Sequence, residues 1–228
     1  MTESTPPTGV APTSPADLGA AAPGTTDPGL TDPGAANRAP RRLRADAQRN
    51  IDALLDAAKI VFGKSGVDAP AKEIADLAGV GVGTLYRHFP QRAHLVKAVF
   101  QREVDACADA AGELAATHQP GEALARWLHR YTQFLATKRG LATALHSGDP
   151  AFEALPCYFM GRLGPALNAL LEAATATGEV RSDVSAEDLL HAVAQLCQPV
   201  PDQGLAYNQR MVSVLIDGLR HGVKHQRS

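Results

Sequence analysis

Residues Lys72–Phe89, KEIADLAGVGVGTLYRHF, contain two short helical patterns separated by a glycine. Ile74, Ala75 and Ala78 put small and apolar residues on one side of the first pattern. Gly79 follows, where a tight turn calls for a residue free to take positive φ. In the second pattern Val82, Leu85 and Phe89 fall at i, i+3 and i+7 and face inward. Gly83, Thr84, Arg87 and His88 are left outside, with Tyr86 at the edge. Two short helices joined by a glycine-containing turn, the second with a polar outer face, read as helix-turn-helix. In that motif the second helix enters the DNA major groove.

The same residues resemble the DNA-binding domain of the TetR family of bacterial transcriptional regulators. The family pattern is I-A-x-x-A-G-V, a small polar residue, then x-x-T-L-Y-x-H-F. Here it stands as Ile74-Ala75-Asp76-Leu77-Ala78-Gly79-Val80, then Gly81, then Val82-Gly83-Thr84-Leu85-Tyr86-Arg87-His88-Phe89. Gly81 replaces the usual Ser or Thr, which weakens the cap of the second helix by a few tenths of a kcal/mol. The resemblance implies that Thr84 and Arg87 reach base edges, Arg being shaped to read guanine O6 and N7. It implies close backbone approach at Gly83, and phosphate contacts from Tyr86 and His88 that fix register. Arg92 falls where the family carries a Lys that meets a phosphate. The alternatives are a half-buried core aromatic for Tyr86 and a solvated surface residue for His88.

Upstream, Ile51, Leu54, Leu55, Ala58, Val61 and Phe62 make one apolar stripe and predict a first helix from about Arg44 to Ser65. It packs across the helix-turn-helix pair, giving a three-helix DNA-binding domain over residues 41–100. The basic cluster Arg41, Arg42 and Arg44 is either a solvated helix start or an arm for phosphates or the minor groove; beside such a domain the arm is preferred. Residues 1–40 hold half of the 16 prolines and read as a disordered leader that cannot bury enough surface to order itself. Downstream of Pro90 a fourth helix, with Leu95, Val96, Val99, Phe100 and Val104 inward, links this domain to the next.

Charge follows the same division. Residues 41–100 carry ten Lys/Arg against six acids, net +4, while residues 1–40 and 101–228 are each net −3. Only the helix-turn-helix segment has the basic balance that a phosphate-binding surface requires. The N-terminus has no signal-peptide pattern, and no apolar run approaches a membrane span. A cytoplasmic location is therefore expected.

Residues 101–222 show helical periodicity and no strand alternation, and are read as an effector-binding and dimerisation domain. Residues 223–228 form a frayed tail. Leu124, Trp127, Leu128, Tyr131, Phe134 and Leu135 stripe one helix that Arg139-Gly140 should break, and Pro156 and Pro165 should kink or divide a later one. Trp127, Tyr131, Phe134, Tyr158 and Phe159 are the candidate effector-binding residues, the alternative being simple core filling. With no charged cluster nearby, a neutral, mainly apolar ligand is expected. Ser185-Ala186-Glu187-Asp188 begins the first of two closing helices, which pair with their symmetry mates through Leu189, Val193, Leu196, Met211, Leu215 and Leu219.

No phosphate loop, HExxH, CxxC or GxSxG pattern occurs. Cys107, Cys157 and Cys197 are widely spaced, and neither they nor the eight histidines show ligand spacing. No metal, cofactor or catalytic residue is predicted. The expected protein is an all-α, homodimeric repressor, released from a palindromic operator by a small apolar effector. The rivals are a thiol-responsive regulator of the same fold and an all-helical enzyme.

Overall fold

A computed structural model of the protein describes residues 33–221, with side chains described for 45–220. The chain divides between Arg41 and Arg42 into two units, and the packing below is that of the second. The described residues hold nine α-helices and no strand: α1 Pro33–Ser65, α2 Ala71–Leu77, α3 Val82–His88, α4 Arg92–Thr117, α5 Pro120–Gly140, α6 Ala142–Leu145, α7 Leu155–Ala176, α8 Ala186–Leu196 and α9 Leu205–His221. A single 3-10 turn, Pro150–Phe152, precedes α7.

The stripe on α1 is buried from Leu54 to Phe62, with Ile51 partly covered. It closes over Ile74, Ala75, Leu85 and Phe89 to make the core of the three-helix domain. α1 begins at Pro33, eleven residues before the predicted start at Arg44. Residues 33–40, expected within the disordered leader, are therefore helical; proline suits the first helical position, and the alanines that follow are strong helix formers. Residues 1–32 of that leader and the expected frayed tail, 223–228, lie outside the described residues.

The turn between α2 and α3 is as its sequence dictates. Gly79 takes φ +69°. Its N–H donates to Asp76 O, and that of Val80 to Ala75 O at 3.0 Å, the paired bonds of a Schellman stop. α3 then starts at Val82 with Gly81 as its N-cap, which supplies no side-chain cap.

α4 to α9 form the larger domain. α5 is its centre, packing against α4, α7, α8 and α9, and every residue of its predicted stripe is buried. α5 ends at Arg139-Gly140 as the sequence predicts, with Gly140 its last residue and Leu141 its C-cap. The glycine's lack of a side chain lets the helix end lie on α1: a Cβ there would stand 3.0 Å from Phe62 O and 3.2 Å from Gly63 Cα. The segment from Ala151 is interrupted ahead of Pro156, where a 3-10 turn ends at Phe152 and α7 starts at Leu155, but Pro165 does not divide α7. Pro156 sits in its first turn, where a missing N–H costs nothing, and the helix continues past Pro165. Ser185 and Asp188 form a reciprocal capping box at the start of α8. No helix among the described residues is long and apolar enough to cross a membrane.

Candidate nucleic-acid interface and ligand cavity

On α3, Leu85 is buried and Gly83, Tyr86 and Arg87 are exposed, with Thr84 and His88 half-buried. Tyr86 leaves 54% of its surface to solvent, so the reading of it as a half-buried core aromatic does not hold. Among the described residues no carboxylate pairs with Arg87. A Cβ added at Gly83 would have no neighbour within 4 Å beyond its own helix backbone, so internal packing gives no reason for glycine there. These residues form a polar, cationic ridge with an aromatic hydroxyl on it. Such a ridge can donate hydrogen bonds to phosphates and base edges.

Arg92 departs from its predicted role. Its side chain turns inward, donating from Nη2 to Ala69 O, with the guanidinium 5.7 Å from the Phe62 ring centroid. Nη1 is buried with no hydrogen-bond partner among the described residues. Arginine's planar head can stack and bond a carbonyl together, so here it ties α4 to the DNA-binding domain instead of facing outward. The side chains of Arg41, Arg42 and Arg44 lie outside the described residues.

A cavity of about 360 Å³ lies within the larger domain, walled by α4 to α8 and the 3-10 turn. Of the five predicted effector residues it brings together two, Tyr131 and Phe159. Trp127 is fully buried, its indole N–H donating to Cys107 O at 2.8 Å. It stacks on Tyr131 and not on the cavity, at 5.7 Å between centroids. Phe134 backs the wall, 5.9 Å from both Phe100 and Phe159. Tyr158 points away, its hydroxyl donating to both carboxylate oxygens of Asp105 at 2.7 Å. Helical spacing alone does not separate core aromatics from lining ones.

Lining residues missed by sequence reasoning include Phe100 and three basic ones: Lys138, His146 and His191. The expectation of a neutral ligand rested on the lack of a charged cluster in the sequence. Lys138, His146 and His191 come from α5, the residue after α6, and α8, and only folding gathers them. The Lys138 ammonium sits 5.6 Å from the Phe159 ring centroid, and burial lowers its pKa. Burial also raises the pKa of the Tyr131 hydroxyl, which donates to Leu190 O at 3.3 Å.

Three of the six residues predicted for the dimer surface are not available to a partner. Leu189, Val193 and Leu219 are buried inside the protomer, because α8 and α9 pack on each other and on α5. Leu196, Met211 and Leu215 stay half-exposed, beside Val214 (65% exposed) and Gly218. Among the thiols, burial pushes Cys107 up to about 12 and raises Cys197 as well. A thiol held protonated is a poor nucleophile and redox sensor, which weakens the thiol-responsive reading at both. Among the described residues no group of three or more His, Cys, Asp or Glu stands close enough to hold a metal ion.

Two family models match the chain. Residues 54–99 match the bacterial regulatory proteins of the tetR family, and residues 119–221 match the SbtR-like transcriptional regulator C-terminal domain. Among solved structures, the TetR transcriptional regulator SCO0520 from Streptomyces coelicolor is 38% identical with a TM-score of 0.65, over 75% of this chain and 98% of that one. The TetR transcription regulatory protein from Mycobacterium vanbaalenii is 37% identical with a TM-score of 0.62, over 78% of this chain and 99% of that one. The HTH-type transcriptional repressor KstR of Mycobacterium tuberculosis is 38% identical over 84 residues, which are 35% of this chain and 38% of that protein. The chain thus spans little more than a third of the length of such curated relatives; a second, the HTH-type regulator SAR0097 of Staphylococcus aureus, is matched over 35%.

Proposed function

Because this chain belongs to the TetR family of bacterial transcriptional regulators, we propose that it is a homodimeric repressor released from a palindromic operator by a small molecule. The observation that carries this reading is α4. Near its start, Arg92 bonds Ala69 O in the DNA-binding domain; two turns on, Phe100 forms part of the cavity wall. Farther along, Arg102 donates to Asp52 O at 2.9 Å and pairs with Asp56, and Glu103 pairs with Lys59 at 2.7 Å. A ligand that displaces Phe100 therefore pulls on the helix that holds α1 and the connection from α1 to α2. Coupling of about 1–3 kcal/mol, or roughly 5–150-fold in operator affinity, is the ordinary range for such a link.

The dimer forms through α8 and α9, with Leu196, Met211, Val214, Leu215 and Gly218 facing the partner. Two α3 helices then enter successive major grooves about 34–36 Å apart. Thr84 and Arg87 read bases there, Tyr86 and His88 hold phosphates, and Gly83 admits the groove wall.

Sequencing genomic fragments retained by the protein tests this directly. The retained fragments should share an inverted repeat with half-sites one helical turn apart. Arg87→Ala should cost roughly 1–3 kcal/mol and relax preference at one position of each half-site. Tyr86→Phe and His88→Ala should weaken binding to all sequences alike. Unchanged preference in Arg87→Ala would remove that residue from base reading.

A further inference from the structure

We propose that the cavity takes a compact amphipathic acid, with an aliphatic or aromatic body among Phe100, Phe152 and Met160 and an anionic head met by Lys138, His146 and His191. This rests on the cavity being the effector site. The wall contains no Asp or Glu; its ionisable groups, the Tyr131 phenol apart, are all basic. Lys138 has no carboxylate partner among the described residues. It is half-buried, and its ammonium faces the Phe159 ring. A cation taken partly out of water without a counter-charge is unfavourable, and the lowered Lys138 pKa agrees with that cost. An anion entering beside it restores the missing charge, and the bond it makes is charge-assisted.

The histidines fit the same head group. His146 Nδ1 lies 2.8 Å from Ala142 O; a carbonyl only accepts, so Nδ1 donates there, and Nε2 meets an anion as the second N–H of the imidazolium form. His191 stands on α8 at the same cavity. The volume lies at the lower end of small-molecule sites, which favours a compact acid over a large nucleotide-bearing ester.

The test is isothermal titration calorimetry of the full chain with octanoate and 1-naphthaleneacetate, and with the matching alcohols 1-octanol and 2-(1-naphthyl)ethanol. Each acid should bind roughly tenfold or more tighter than its alcohol. Lys138→Met should abolish that ratio and Lys138→Arg should keep it, with circular dichroism verifying the helical fold of both. Equal affinity for acids and alcohols, or an acid preference that survives Lys138→Met, overturns the anionic head and leaves an apolar site in place. Ala194→Trp, which puts an indole into the space, should abolish binding of all four probes. Binding that persists in Ala194→Trp, or no binding of any probe to the unaltered chain, overturns the cavity itself as the effector site.

Discussion

Gly140→Ala and Gly63→Ala should shift stability in opposite directions, although both add one methyl group to a helix. At Gly63 a new Cβ meets nothing within 4 Å. The substitution there only removes backbone freedom from the unfolded chain, worth about 0.5–1 kcal/mol of added stability. At Gly140 the new Cβ would stand 3.0 Å from Phe62 O and 3.2 Å from Gly63 Cα. Both are main-chain atoms of α1, which cannot swing aside as a flexible side chain would. Forcing a methylene into such a contact costs roughly 1–3 kcal/mol, against a propensity gain of at most about 1 kcal/mol at the last residue of α5. The contact wins, and a net loss of about 1 kcal/mol is expected. For a chain of this size that is a fall in Tm of roughly 2–4 °C, against a rise of about 1–4 °C for Gly63→Ala. Differential scanning calorimetry of the two variants decides it. If both raise Tm by the same amount, the close approach of α5 to α1 is absent in solution, and with it one link between the two domains.

Val214→Glu should leave the protomer folded, because that side chain is exposed, but should dissociate the dimer by burying an unpaired charge; sedimentation velocity at matched helicity checks it, and a dimer that persists moves the interface away from α9. Leu219→Glu, by contrast, should unfold the protomer, since Leu219 is inside its core. With iodoacetamide at neutral pH, exposed Cys157 should react fast and buried Cys107 and Cys197 only after unfolding. The Cys107 thiol has its folded pKa raised from 9.0 to about 12. Its contribution to stability is therefore complete below about pH 9 and is lost as pH climbs towards 12, where the unfolded chain ionises first. Cys107→Ala should blunt that alkaline loss in pH-dependent denaturation, and an unchanged slope refutes the burial argument.

Much of this protein was legible without coordinates. The helix-turn-helix follows from residues close along the chain: apolar spacing on α3 sets which side turns inward, and Gly79 supplies the one backbone conformation the turn needs. The buried faces of α1, α4 and α5 are legible for the same reason, because 3.6-residue periodicity is a local property. Periodicity says which face is covered and not what covers it. Arg92 looked like a phosphate contact until Ala69 O and Phe62, distant along the chain, proved to be its partners. Gly140 ends α5 as its sequence suggests, but that α1 lies against it is visible only in the fold. Trp127 and Tyr158 carry the same aromatic label as Tyr131 and Phe159, yet one bonds Cys107 O and the other Asp105, and neither reaches the cavity. Lys138, His146 and His191 lie on three elements and make one basic wall only when α5 and α8 come together. Local spacing determined the helices and the polar face of α3. Which side chains meet across helices depends on contacts between residues far apart in sequence, and only the tertiary structure decides that.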